Sequence, residues 1–128
     1  MILLDENINE DQRELLAAWN IRVKQIGVEV ETKGVTDERI ISVLHDFKNC
    51  LFLSSDNDFW DRKYCHGNYC LVYMDVERNE TAFFIRKFLK HAAFDTIKKR
   101  LGKVVKVSQT TLSYFETKNA AIKKVSWK

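Results

Sequence analysis

Apolar residues fall along this chain in two patterns: short unbroken runs, and longer stretches in which they recur every three or four positions. Ile2-Leu3-Leu4, Leu51-Phe52-Leu53 and Tyr69-Cys70-Leu71-Val72-Tyr73-Met74 are runs of the first kind, bounded by polar turn residues. Such runs predict strands buried on both faces of a mostly parallel sheet. Leu15, Leu16 and Trp19 mark one helix, which starts at Asn9 as its N-cap, ends near Asn20, and carries Asp11 and Glu14 at the positive end of its dipole. Ile40, Ile41, Val43, Leu44 and Phe47 mark a second, capped by Thr36 and closed by Asn49. A third and longer helix is predicted from about Glu80 to Leu101. There Phe84, Phe88 and Ala92, with Ile85, Leu89, Ala93, Ile97 and Leu101, keep helical spacing, and Gly102 is the stop.

A further strand is expected within Ile21 to Val30, where the alternation is loose and Gly27 is a candidate break. An exposed connection is expected from Asp61 to Gly67. From Val104 onward the period becomes two: Val105/Val107, Leu112/Tyr114 and Ile122/Val125/Trp127 predict short strands in an antiparallel extension. Strands alternating with helices, followed by strands alone, give an α/β fold.

The carboxyl ends of the first and third strands both deliver acids. Ile2-Leu3-Leu4 runs into Asp5-Glu6-Asn7, and Leu51-Phe52-Leu53 runs into Ser54-Ser55-Asp56-Asn57-Asp58. Working groups of open α/β sheets gather beyond such strand ends. With the two strands side by side, Asp5 comes near Asp56, and Asp37 in the first turn of the second helix brings a third acidic region to the same edge.

A length of 128 residues fits one domain with a single core. Composition, 45% hydrophobic and 30% charged, is that of a soluble globular chain; no apolar stretch reaches membrane-spanning length and no leader pattern opens the sequence. A cytoplasmic location is therefore expected, and the three cysteines then read as reduced thiols. The lack of proline and scarcity of glycine argue against linkers. Cys65-His66 and Cys70 offer three zinc ligands without the paired spacing of a structural site, so zinc is not expected. His45 and His91 read as surface or core histidines without obvious partners. Phe84, Phe88 and Phe94 read as core or oligomer contact and not as a base-stacking platform.

The net charge of +3 is unevenly spread, with acids concentrated at the start and bases from Arg86 to Lys128. An acidic pocket on a basic body suits an enzyme that uses metal ions to cut phosphodiesters, because cations fill the pocket while lysines and arginines hold the polyanion.

Three segments together carry a family resemblance: Leu3-Leu4-Asp5-Glu6-Asn7, Gly34-Val35-Thr36-Asp37-Glu38-Arg39-Ile40-Ile41, and Leu53-Ser54-Ser55-Asp56-Asn57-Asp58-Phe59. In order and spacing they resemble the motifs of small stand-alone PIN-like domains, over roughly the first three-fifths of the chain. The resemblance implies one PIN-like domain over residues 1–128, a three-layer α/β/α nuclease fold with a mainly parallel central sheet and a strand-rich C-terminal extension. It implies Mg²⁺ or Mn²⁺ as cofactor, and in many members an endoribonuclease that is the toxin of a toxin–antitoxin pair. The partners expected from it are an RNA substrate, a small antitoxin protein and a second copy of the chain. Carried over residue by residue, Asp5, Asp37, Asp56 and Asp58 match the catalytic, metal-binding acids. Ser54 stands where the family often has a hydroxyl that orients the cluster, and Glu6 is a supporting acid. Asp37 departs from the glutamate that many full-length PIN domains place on the second helix, which shortens its reach.

Carboxylates suit such chemistry because hard divalent cations prefer oxygen ligands and Mg²⁺ keeps most of its waters. Metals so held activate water and neutralise charge on the attacking and leaving oxygens of an in-line displacement. Plainer roles stand beside each assignment. Asp37 alone reads equally as a helix-start residue, Asp56 and Asp58 as Asx-turn formers, and Asp61 as a solvated loop residue. Arg86, Lys87 and Lys90 are candidate RNA contacts or simply the solvated face of a helix. A phosphoacceptor receiver domain fits less well, because the paired Asp56/Asp58, the extra Asp37 and the strand-rich end have no place in it. A PIN-like binding module that has lost cleavage is the remaining alternative.

Overall fold

The computed structural model describes residues 1–128, the side chain of Ala120 excepted. Seven strands form one mixed sheet: β1 (Ile2–Leu4), β2 (Lys24–Gln25), β3 (Cys50–Ser54), β4 (Tyr69–Asp75), β5 (Lys103–Ser108), β6 (Thr111–Glu116) and β7 (Asn119–Ser126). Their order across the sheet is β2-β1-β3-β4-β5-β6-β7. The first five lie parallel; β6 and β7 are antiparallel. The strand-rich extension therefore turns antiparallel only at β6, since β5 still pairs parallel with β4 through Val72↔Val105 and its neighbours.

Four helices accompany the sheet: α1 (Glu10–Ala18), α2 (Asp37–Asp46), α3 (Thr81–Lys90) and the single turn α4 (Ile97–Arg100). Strand pleating sorts the core into two clusters, because successive side chains leave opposite faces. Leu51 and Leu53 of β3 and Cys70, Val72 and Met74 of β4 pack with Leu16 of α1 and Ala82, Ile85 and Phe88 of α3. Cys50 and Phe52, with Tyr69 and Leu71, pack on the other face with Ile40, Val43 and Leu44 of α2. Helices thus cover both faces, and β3 and β4 are buried between them, which is why their sequences are continuously apolar. Complete burial of each leucine or phenylalanine here contributes about 1.5–3 kcal/mol.

Several predicted boundaries shift. Trp19 is partly buried as expected, but Leu15 is 39% exposed, and the second inward position of α1 is taken by Gln12, which is 2% exposed. Its Oε1 accepts the Ala82 N–H at 2.9 Å. That satisfies one of the amides left open at the start of α3 and ties the two helices together. The long helix predicted to Leu101 stops at Lys90, because His91 is extended (φ −69°, ψ 135°) and lets Phe94 turn inward to stack on Phe88 at 4.9 Å. The chain resumes as α4, whose Thr96 cap accepts the Lys99 N–H at 3.2 Å, and Gly102 ends it at φ +82°. Phe84, Phe88 and Phe94 are all buried, as expected.

The second strand shrinks to two residues, with Gly27 at φ +83° turning the chain away immediately after it. Phe47, expected to complete the stripe of α2, is 36% exposed past the helix end. The Asp61–Gly67 connection contains a 3-10 turn at Arg62–Tyr64, and a preceding one at Asn57–Phe59 drives Phe59 into the core against Phe52 at 5.3 Å. Trp127 lies just beyond β7. Among the described residues, no helix is long and apolar enough to cross a membrane.

Candidate metal centre

The strand order β2-β1-β3-β4-β5 reverses direction of winding between β1 and β3, and a crevice opens at such a switch point beyond the carboxyl ends of the two strands. The acids predicted from sequence collect at that edge. Register pairs Leu4 with Leu53, and the Asp5 N–H continues the ladder to the Leu53 carbonyl at 2.9 Å, so Asp5 emerges beside Ser54.

Each side chain of Asp5-Glu6-Asn7 then fastens a different segment of the edge. Asp5 Oδ2 accepts the Ser54 hydroxyl at 2.6 Å, while its Oδ1 accepts the Glu6 N–H at 2.8 Å. Both oxygens of Glu6 accept the Gly34 N–H, at 3.0 and 3.1 Å, which pins the loop leading into α2. Asn7 Oδ1 accepts the Ser55 N–H at 3.3 Å. The segment Asp5-Glu6-Asn7 thus physically joins the loop before α2 and the end of β3.

Asp37 is placed by its helix. Thr36 Oγ1 accepts the Arg39 N–H at 3.2 Å, an ordinary N-cap, and Asp37 follows as the first residue of α2. Asp56 and Asp58 are placed by the 3-10 turn after β3. Asp56 donates its N–H to Ser54 Oγ at 3.0 Å and accepts the Asp58 N–H on Oδ1 at 2.9 Å. Asp56 thus forms an Asx turn, which leaves its Oδ2 uncommitted.

The outcome is a convergent set: Asp37, Asp56 and Asp58 each offer a carboxylate oxygen, and these oxygens all lie within 4.8 Å of one another. Asp37 and Asp56 are half-buried and Asp58 is exposed. Asp5 falls outside this set; it is 6% exposed, and its two oxygens are engaged by Ser54 and Glu6. It stands one hydroxyl away from Asp56, through Ser54.

Electrostatics agree with the geometry. Burial raises the Asp5 carboxyl above its ordinary pKa, helped by the charges of Glu6 and Asp56 and opposed by the hydrogen bonds from Ser54 and Glu6. The Asp37 carboxyl is likewise raised, first by burial and then by the charges of Asp56, Asp58 and Glu38, with Lys63 acting against them. Asp61 instead caps the Arg62–Tyr64 turn through the Lys63 N–H at 2.9 Å, in line with a loop role.

Gln25 is the residue that sequence reasoning passed over. Buried at the end of β2, its side-chain amide donates to the Asp5 carbonyl at 3.0 Å and the Ile8 carbonyl at 2.8 Å. Arg13 reaches its Oε1 at 3.3 Å and is itself paired with Glu29 at 2.5 Å. A polar residue next to Ile26 at the end of an otherwise weak strand was the available signal. Elsewhere, His45 meets His66 edge-on at 4.3 Å, and His91 meets the Ser126 carbonyl at 2.7 Å and Trp127 at 5.8 Å, so these histidines do have partners. Cys65 and Cys70 pack into the clusters on opposite faces of the sheet.

No protein-family model, curated protein or solved structure matches the chain.

Proposed function

We propose that this protein is a metal-dependent endoribonuclease with a PIN-like fold, in which Asp37, Asp56 and Asp58 hold Mg²⁺ or Mn²⁺. The observation that carries the reading is the convergence of those three carboxylates at the switch point of the sheet. Three acids from two segments, the start of α2 and the turn after β3, form an all-oxygen set suited to a hard divalent cation, and the Asp37 carboxyl is raised first by burial and then by the charges of Asp56 and Asp58. When bound, such a metal supplies an activated water and neutralises charge on the phosphodiester oxygens. The chain's own residues orient the donors. Ser54 fixes the Asp56 backbone, Glu6 fixes the loop before Asp37, and Asp5, held by Ser54, Glu6 and Gln25, is the buried post on which both strand ends hang. Asp5 thus supports the set from behind, and Asp58, the most open of the three, faces incoming substrate.

The role of toxin neutralised by a small antitoxin follows from the family resemblance of the three segments and belongs to the same proposal. The test is cleavage of a mixed RNA pool with Mn²⁺, Mg²⁺ or EDTA, comparing the wild type with Asp5→Asn, Asp37→Asn and Asp56→Asn. Metal-dependent cleavage lost in all three variants is the expected result. A folded wild type inert with every metal would instead favour the binding module without cleavage.

A further inference from the structure

On the opposite side of α3 from its buried stripe, Phe83, Arg86, Lys87 and Lys90 line up at spacings of three and four residues, one face of the helix. With His91 and Trp127 they bound an open groove of about 320 Å³. Among the described residues the cations of this face stand clear of carboxylates, as do other lysines of the chain such as Lys48 and Lys98, and what sets Arg86 and Lys87 apart from those two is the aromatic rings beside them. Lys63, Lys99, Lys106, Lys123, Arg13 and Arg39 all lie against carboxylates, whereas among the described residues Arg86, Lys87 and Lys90 join no ion pair. Two of them rest on rings instead: Arg86 lies 3.8 Å over Trp19 and Lys87 lies 4.6 Å over Trp127. A guanidinium stacked by its face keeps its in-plane N–H donors for another partner, and a ring-held ammonium is already positioned.

The walls of the groove are fixed. The Trp127 indole N–H donates to the Ser108 carbonyl at 2.8 Å, and His91 is fastened to the Ser126 carbonyl. Phe83 stands at the first turn of α3, 46% exposed, its ring braced edge-on by Phe84 at 5.2 Å. An open aromatic face beside a row of uncompensated cations is the pairing that single-stranded nucleic acids use, stacking for the bases and charge for the phosphates.

We infer that the outer face of α3, with Phe83 as stacking platform and Arg86, Lys87 and Lys90 as phosphate contacts, docks a single strand of RNA. This surface extends the ribonuclease reading by giving its substrate a place to lie. Binding is measured in EDTA, so it is scored independently of cleavage. The probe is a fluorescein-labelled mixed-sequence RNA strand, followed by anisotropy across a salt series. The Lys87→Gln/Lys90→Gln variant should weaken binding about tenfold or more at low salt. It should also flatten the log–log salt slope by roughly 0.7 for each cation removed. Phe83→Ala should weaken binding by about tenfold while leaving the slope unchanged. Lys48→Gln/Lys98→Gln, which removes the same charge elsewhere, should leave affinity within about twofold. Equal losses in both lysine pairs, wild-type affinity in the α3 variants, or equal binding of duplex RNA would each overturn the inference. Active cleavage with α3 variants unimpaired in binding would overturn this surface and leave the ribonuclease standing.

Discussion

Ser54 and Asp5 are 49 residues apart in the chain and share a hydrogen bond of 2.6 Å, and the same Ser54 oxygen accepts the Asp56 N–H at 3.0 Å. One buried hydroxyl therefore couples the ends of two strands and sets the backbone from which Asp56 projects. Ser54→Ala should leave Asp5 Oδ2 and the Asp56 N–H without their partner and cost about 1–3 kcal/mol in urea unfolding. Ser54→Thr, which keeps the hydroxyl, should recover most of that loss and of any metal-dependent activity.

The raised pKa of Asp5 has a defined sign for stability. Its carboxyl binds a proton more readily when folded than when unfolded, so its contribution is present at low pH. That contribution is lost as pH climbs from the ordinary value near 3.8 through the raised folded value. Asp5→Asn removes this titration. Urea midpoints of the two proteins between pH 3 and pH 7 should show the variant gaining on the wild type as pH rises; a constant difference would contradict the assignment.

On the proposed reading, metal and protons compete for the same oxygens. Because Asp37 is raised by burial and by its acidic neighbours, Mn²⁺ affinity should fall as pH drops into the raised carboxylate range, as titration calorimetry would register. A free metal concentration about a hundred times the dissociation constant should stabilise the wild type by about 2.7 kcal/mol. Asp37→Asn and Asp56→Asn should lose most of this increment. In EDTA, Asp58→Asn should unfold no more easily than the wild type, since it relieves repulsion.

Gln25 tests how the Asp5 turn is held. Its amide satisfies two carbonyls, those of Asp5 and Ile8, that the variant Gln25→Leu would leave unpaired at a cost of about 2–4 kcal/mol. Gln25→Glu should cost at least as much at neutral pH, because a carboxylate has no proton to give either carbonyl. Thermal unfolding of the two variants would check the order.

Much of the fold was legible because burial on both faces writes a simple pattern. β1, β3 and β4 are continuous apolar runs, α2 is announced by Thr36, and the acids at the strand ends follow from those assignments. Two of the departures have one kind of cause: a packing or hydrogen-bonding contact overruled the local pattern. The heptad-like stripe from Phe84 to Leu101 continues on paper past Lys90, yet stacking Phe94 on Phe88 requires the chain to bend at His91. Leu15 gave way to Gln12 because the start of α3, seventy residues later, needed an acceptor. In the candidate site, sequence placed all four aspartates at one edge. It could not separate the converging Asp37, Asp56 and Asp58 from Asp5, since that difference lies in burial and in who donates to each oxygen.

Parallel pairing of β1 with β3 also has a kinetic meaning. The β5-β6-β7 meander closes through short turns, but Asp5 meets Ser54 only after the intervening chain, including α1 and α2, has been gathered in, and contacts so distant in sequence pay their loop entropy before any return. A partly made chain thus carries isolated acids with no cluster among them. Whatever the three carboxylates do, they begin to do it only in a molecule that has finished folding.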